Sequence, residues 1–172
     1  NPVNYVGHSE EIIDRVLDAW MYEYTKICKN RQNLKYKGDK LVMNLLDANI
    51  NSKYLLLGNH IIVSTDKEVK PTYLEKENLQ LARHTSSKEE DIYNEIKNLI
   101  NHLSKPDSFA IKVDRKGEHK YNSTEIARNL AGAAFEKWED VTVKLKKPSL
   151  MICVQIINNR SVVYFIKEWK LQ

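Results

Sequence analysis

A chain of 172 residues holds one compact domain or two small ones sharing an interface, and 42% apolar residues give it enough core to exclude wholesale disorder. No apolar run approaches the roughly 20 residues a membrane-crossing helix needs, Asn1 to Glu11 is polar where a secretion signal would be apolar, and Cys28 and Cys153 are too few for a disulfide framework or a zinc cluster, so a cytoplasmic setting with reduced thiols is expected. The net charge of +4 is unevenly spread: residues 1–103 carry 14 Lys/Arg against 15 Asp/Glu and residues 104–172 carry 13 against 8, which puts the basic excess in the C-terminal part, as expected if that part meets phosphate.

Residues 10–31 are expected to form an amphipathic helix. Ser9 is a cap, Glu10 and Glu11 suit the positive end of the dipole, and Ile13, Val16, Leu17, Trp20, Tyr24, Ile27 and Cys28 recur at spacings of three and four. Residues 30–40, polar and basic, read as a loop, and Leu41 to Leu46 as one or two helical turns. Lys53 to Leu57 and Ile61 to Thr65 read as two strands joined by a Gly58-Asn59 turn. Residues 66–86 are a charged connector containing Pro71. A short helix around Tyr73 to Arg83 is expected there, because so long a structureless loop is uncommon in a compact domain.

Ser87-Lys88-Glu89-Glu90 fits a capping box, and Ile92, Ile96, Leu99, Ile100 and Leu103 mark one face of the helix it would open. Phe109 to Val113 alternates as a strand, and Asp114 to Tyr121 is a charged turn containing Gly117. Asn122 to Glu125 is a second capping box. It opens a helix with Ile126, Ala127, Leu130, Ala131, Ala134 and Phe135 inward, and with small residues around Gly132 for close packing on a sheet. Val141 to Leu145 is a short strand broken by Lys147-Pro148. Leu150 to Ile157 has the continuous apolar character of a central strand, and Asn158-Asn159 turns it into a returning strand, Ser161 to Ile166.

Ser108 to Arg128 resembles the heart of the THUMP domain: a strand ending in a basic turn, a histidine (His119), an Asn/Ser cap, and a helix with the small pair Ala131-Gly132. The family's Val-x-Leu-x-x-Pro element, leading into a hydrophobic strand, is matched by Val143 to Pro148 followed by Leu150 to Ile157. The resemblance covers roughly residues 88–169. It departs from the family at Lys144 and Ser149, where acidic residues are common, and the small ferredoxin-like domain that often precedes a THUMP is not recognisable in residues 1–87. The resemblance implies an α/β (α+β) fold, with a mixed sheet and packed helices in residues 88–172 after a helix-rich, hairpin-containing region in residues 1–87. It further implies recognition of tRNA, in several members near the acceptor end.

Within that part, Lys112, Arg115, Lys116, His119 and Lys120 lie on a strand end and turn before a capped helix whose free N–H groups accept phosphate. Arg128 is one turn into the helix, and Lys144, Lys146 and Lys147 are placed on a neighbouring loop. These nine are the expected RNA-binding residues. His119 has a structural, hydrogen-bonding reading beside the functional one, Trp20 reads as core, and Trp138 and Trp169 stay open as base-stacking residues. No glycine-rich cofactor loop, Gly-x-Ser-x-Gly, His-Glu-x-x-His or Cys-x-x-Cys occurs, so no cofactor, metal or catalytic residue is assigned.

The chain closes on Lys167 to Gln172, as the family's short adaptors do. The expected function is therefore a non-enzymatic adaptor that presents tRNA to a separate modifying enzyme, such as a cytidine acetyltransferase. The alternative is the N-terminal RNA-binding part of a longer tRNA-modifying enzyme: a methyltransferase, thiouridine synthase or pseudouridine synthase. A third reading is a protein-interaction module docking through the first half's aromatic helix.

Overall fold

The computed structural model describes residues 3–4 and 22–167. Its contacts divide the chain into two compact units, Asn1–Leu81 and Ala82–Gln172.

The first unit contains β1 (Val3–Asn4), β2 (Tyr22–Ile27), α1 (Leu34–Asp47), β3 (Ser52–Leu57), β4 (His60–Thr65), α2 (Pro71–Lys76) and the first residues of β5 (Gln80–Ser86). Its strands run in the order β1-β3-β4-β2-β5. The expected hairpin is present, with Leu57 opposite His60. In the described part of the expected helix over residues 10–31, Tyr22–Ile27 is instead a strand, paired with β4 from Tyr22 opposite Thr65 to Ile27 opposite His60. Aromatic and β-branched side chains at Tyr22, Tyr24, Thr25 and Ile27 favour extended backbone, and a full register of cross-strand partners outweighs the helical spacing. The earlier part of that expected helix, including Trp20, lies outside the described residues.

Residues 30–40 are not a loop either, because α1 starts at Leu34. Its buried stripe is Leu34, Gly38, Leu41, Val42 and Leu45, and the glycine hides the apolar period from a reader of the sequence. Gly38 is small for a reason: a Cβ there would stand 2.6 Å from the ring of Tyr54, which is 1% exposed. In the connector, the helix is Pro71–Lys76 and opens with proline at its first turn. Asn78 then adopts a left-handed conformation, φ 56°, and Gln80–Ser86 is a strand rather than the helix expected to reach Arg83.

The second unit contains the rest of β5, α3 (Glu89–Ile100), β6 (Ser108–Lys116), α4 (Ser123–Lys137), β7 (Thr142–Val143), β8 (Leu150–Ile157) and β9 (Arg160–Lys167). The strand order is β5-β9-β8-β6-β7. As expected, Leu150–Ile157 is a central strand, parallel to β6 and antiparallel to β9. Helices α3 and α4 cover one face. Ile92, Ile96, Ile126 and Leu130 meet Phe109, Ile152, Val163 and Phe165 in one core, each large side chain contributing roughly 1.5–3 kcal/mol by leaving water. Trp138 is 6% exposed within this core, so it is packing and not a stacking platform. Phe135, expected inward, is 41% exposed and touches Phe109 edge-on at 5.4 Å. The small Gly132 serves helix–helix rather than helix–sheet approach, since a Cβ there would lie 3.1 Å from the Tyr93 hydroxyl on α3. The α/β architecture is as the sequence implied, and no described helix is long and apolar enough to cross a membrane.

Candidate nucleic-acid interface

Strand direction decides which predicted residues can act together. β6 and β8 run parallel, from Phe109 opposite Leu150 to Lys116 opposite Ile157. β9 and β5 follow antiparallel, with Ser86 opposite Arg160. One end of this sheet therefore collects the carboxyl ends of β5, β6 and β8, the Asn158-Asn159 turn and the first turns of α3 and α4. The other end holds β7 and the loop entering β8.

At the first end, β6 leads through Gly117 into the turn before α4. Gly117 has φ 102°, and a Cβ would lie 2.5 Å from Asn158 Oδ1, so the close packing of the two turns requires glycine. Asn122 caps α4 as expected: its Oδ1 accepts from the Glu125 N–H at 2.8 Å. That removes one of the free amides the sequence reading left for a phosphate. The cap expected at Ser87 is displaced. Ser86 Oγ accepts from the Lys88 N–H at 3.1 Å and donates to Asp91 Oδ2 at 2.6 Å. Glu89, Glu90 and Asp91 occupy the first turn of α3, so this helix end is already matched with negative charge.

Two of the predicted contacts also make internal bonds. Arg115 Nη1 donates to the Gly117 carbonyl at 3.0 Å and to His119 Nδ1 at 2.9 Å. His119 Nε2 donates to the Asn158 carbonyl at 2.6 Å, so the tautomer with its proton on Nε2 satisfies both bonds. The His119 ring stacks on Tyr121 at 5.2 Å with an interplanar angle of 8°, and the Tyr121 hydroxyl, its pKa raised by burial, donates to the Ser87 carbonyl. His119 is a strut between two turns, the structural reading of the two. Lys116 and Lys120 remain exposed at this end, and Arg128 is exposed on α4. Lys112 is exposed midway along β6, in register with Cys153. Burial pushes the Cys153 thiol up to about 11, which makes it a packing residue.

Lys144, Lys146 and Lys147 are not neighbours of that cluster. Thr142 and Val143 pair with Ser108 and Phe109, and the Lys144 N–H donates to the Phe109 carbonyl at 2.9 Å. This is the start of β6, roughly 26 Å of strand from Lys116. The loop arches away from the sheet: Leu145 is 80% exposed and Val143 48%. Lys147 takes φ 49°, and the buried Pro148 returns the chain to the core. The three lysine side chains make no ion pair or hydrogen bond among the described residues. Leu145 escaped the sequence reading because alternation marked it as a strand residue. Among the described residues, no group of three or more His, Cys, Asp or Glu is placed to hold a metal ion.

The family model of the THUMP domain matches residues 86–165, the span from the end of β5 into β9. The second unit carries a THUMP domain. A tRNA sulfurtransferase from Vibrio campbellii is 34% identical over 70 residues, which are 41% of this chain and 14% of that protein. Among solved structures, PH1313 from Pyrococcus horikoshii aligns over 87% of this chain and 56% of its own, with a TM-score of 0.61 and 19% identity. A 4-thiouridine synthetase in complex with RNA and bound ATP aligns over 85% of this chain and 41% of its own, with a TM-score of 0.62 and 13% identity. Those coverages exceed the THUMP match and reach into the first unit, so part of the described fold there, unrecognised in the sequence, is also shared.

The chain spans about a seventh of the sulfurtransferase it matches. The expectation of a non-enzymatic protein is corrected by these relatives, which are named as enzymes and carry the matching segment as a minor part of their length.

Proposed function

We propose that this chain is the tRNA-binding part of a tRNA-modifying enzyme, the longer-protein reading of the two drawn from its sequence. The observation that carries it is the THUMP domain joined to a sulfurtransferase relative that extends well beyond the matched segment. A sulfurtransfer reaction is the modification that relative favours.

The site this reading rests on is the Lys144 to Lys147 loop. Three free lysines neutralise phosphates and release counterions, which supplies affinity without reading sequence. Leu145, held out between them, adds an apolar contact to a ribose or an unstacked base. The loop is anchored at both ends by backbone pairing and by Pro148, so it meets RNA with little ordering cost. Lys116 and Lys120 add phosphate contacts at the opposite end of the sheet. The binding unit thereby holds an RNA in register for catalytic groups carried elsewhere in the enzyme.

Mobility-shift titration with tRNA across a salt series tests this. Lys144→Glu with Lys146→Glu and Lys147→Glu should weaken binding and lower the slope of log affinity against log salt by roughly 2–3, at about 0.9 per lost phosphate contact. Failure of the wild-type chain to bind tRNA at low salt would sink the proposal.

A further inference from the structure

The first unit has a basic surface that the charge tally conceals. Lys29, Arg31, Lys35, Lys37 and Lys40 fall within twelve residues that contain one acid, Asp39. Lys29 and Arg31 are exposed in the turn before helix α1, which itself exposes Lys35 and Lys40 and leaves Lys37 half-buried. The buried stripe of α1, with Gly38 pressed on Tyr54, faces the sheet. The opposite stripe is Tyr36, Lys40 and Met43, at helical spacings of four and three. Tyr36 is 66% exposed and Met43 50%. Lys35 leans toward Asp39 at 3.7 Å, whereas the side chains of Lys29, Arg31, Lys37 and Lys40 make no ion pair or hydrogen bond among the described residues.

An exposed aromatic ring within a run of free cations matches one kind of partner. Two apolar side chains are far too little for a protein interface, which needs about 800 Å² from each side. The charge is wrong for another basic surface and right for phosphate. A duplex keeps its bases stacked inside, so it has no use for the ring. An unpaired strand offers both a phosphate chain and free base faces. We infer that Lys29 to Met43 is a second RNA-contacting surface, on which an unpaired segment lays its phosphates along Arg31, Lys37 and Lys40 and stacks a base on Tyr36. The inference rests on the RNA-binding reading above but uses residues of the first unit alone.

The test uses the whole chain, with tRNA, a single-stranded oligonucleotide and a blunt duplex as probes. Arg31→Glu with Lys37→Glu should lower the salt slope for the single strand by roughly 1.4, at about 0.7 per phosphate. Tyr36→Ala should weaken single-strand binding about five- to hundred-fold, Tyr36→Phe should retain it, and neither should alter duplex binding. Thermal unfolding should be unchanged in all, since none of these side chains is buried and none makes an ion pair or hydrogen bond among the described residues. If wild type binds tRNA but these variants match it, this inference falls while the proposed function stands. An equal loss on duplex and single strand from Tyr36→Ala overturns the stacking role. If wild type binds none of the three RNAs, both readings fall.

Discussion

Ser108 and Ser149 hold each other's backbone. Ser149 Oγ accepts from the Ser108 N–H at 2.9 Å and donates to the Ser108 carbonyl at 2.8 Å, while Ser108 Oγ accepts from the Ser149 N–H at 3.1 Å. The clasp ties the start of β6 to the entry of β8 and closes the base of the Lys144 to Lys147 loop. Position 149 departs from the acidic residue common in the family, and the geometry gives the departure a purpose: a hydroxyl both donates and accepts, and a carboxylate only accepts.

Ser149→Ala should therefore cost the second unit about 1–3 kcal/mol, because it strips the buried Ser108 amide of its partner. Urea unfolding measures the loss. Hydrogen exchange should also speed up at the Lys144 amide, which is bonded to Phe109. An unchanged midpoint and exchange rate would show that the clasp contributes nothing.

His119→Phe separates the strut from a direct RNA contact. The ring stack on Tyr121 survives, but the bonds to Arg115 and to the Asn158 carbonyl are lost. Destabilisation of about 1–3 kcal/mol is expected, with an unchanged salt slope for tRNA. A lower slope at unaltered stability would return His119 to the list of direct contacts.

His60 makes the first unit sensitive to acid. It is 2% exposed, its Nδ1 lies 2.9 Å from Thr25 Oγ1, and burial pushes its pKa down to about 4. The unfolded chain, with an ordinary histidine value near 6.5, binds more protons than the folded one between those two pH values. Stability is thus full above about pH 6.5, declines as pH falls toward 4, and levels off below that. The total loss is about 3 kcal/mol. Denaturation of the wild type from pH 7 to 5 should show the decline, and His60→Gln should remove this component whatever its effect on absolute stability.

The two basic ends of the THUMP sheet should contribute separately and unequally. Lys144→Glu with Lys147→Glu is expected to reduce tRNA affinity more than Lys116→Glu with Lys120→Glu. The second pair shares its end of the sheet with Glu89, Glu90 and Asp91, which already repel phosphate. At roughly 26 Å apart, the two double variants should add in free energy when combined. The reverse ranking in a filter-binding assay would move the main contact to the α4 end.

The amino-acid sequence by itself determined most of the THUMP domain. The Asn122 cap, the apolar run of β8, the helical face of α3 and the glycine-centred turn are local signals, each acting within a few residues of the position that shows it. It also determined which residues are cationic. Tertiary structure decided which of those cations meet. The parallel pairing of β6 with β8 sends Lys116 and Lys147 to opposite ends, and no local pattern encodes strand direction. It tied Arg115 and His119 into a link to Asn158, 39 residues away from the histidine in sequence. In the first unit it overrode local spacing twice. A full ladder with β4 made Tyr22–Ile27 a strand, and contact with Tyr54 let Gly38 sit in a helix, because packing and pairing across the sheet outweigh the small free-energy differences among local backbone preferences.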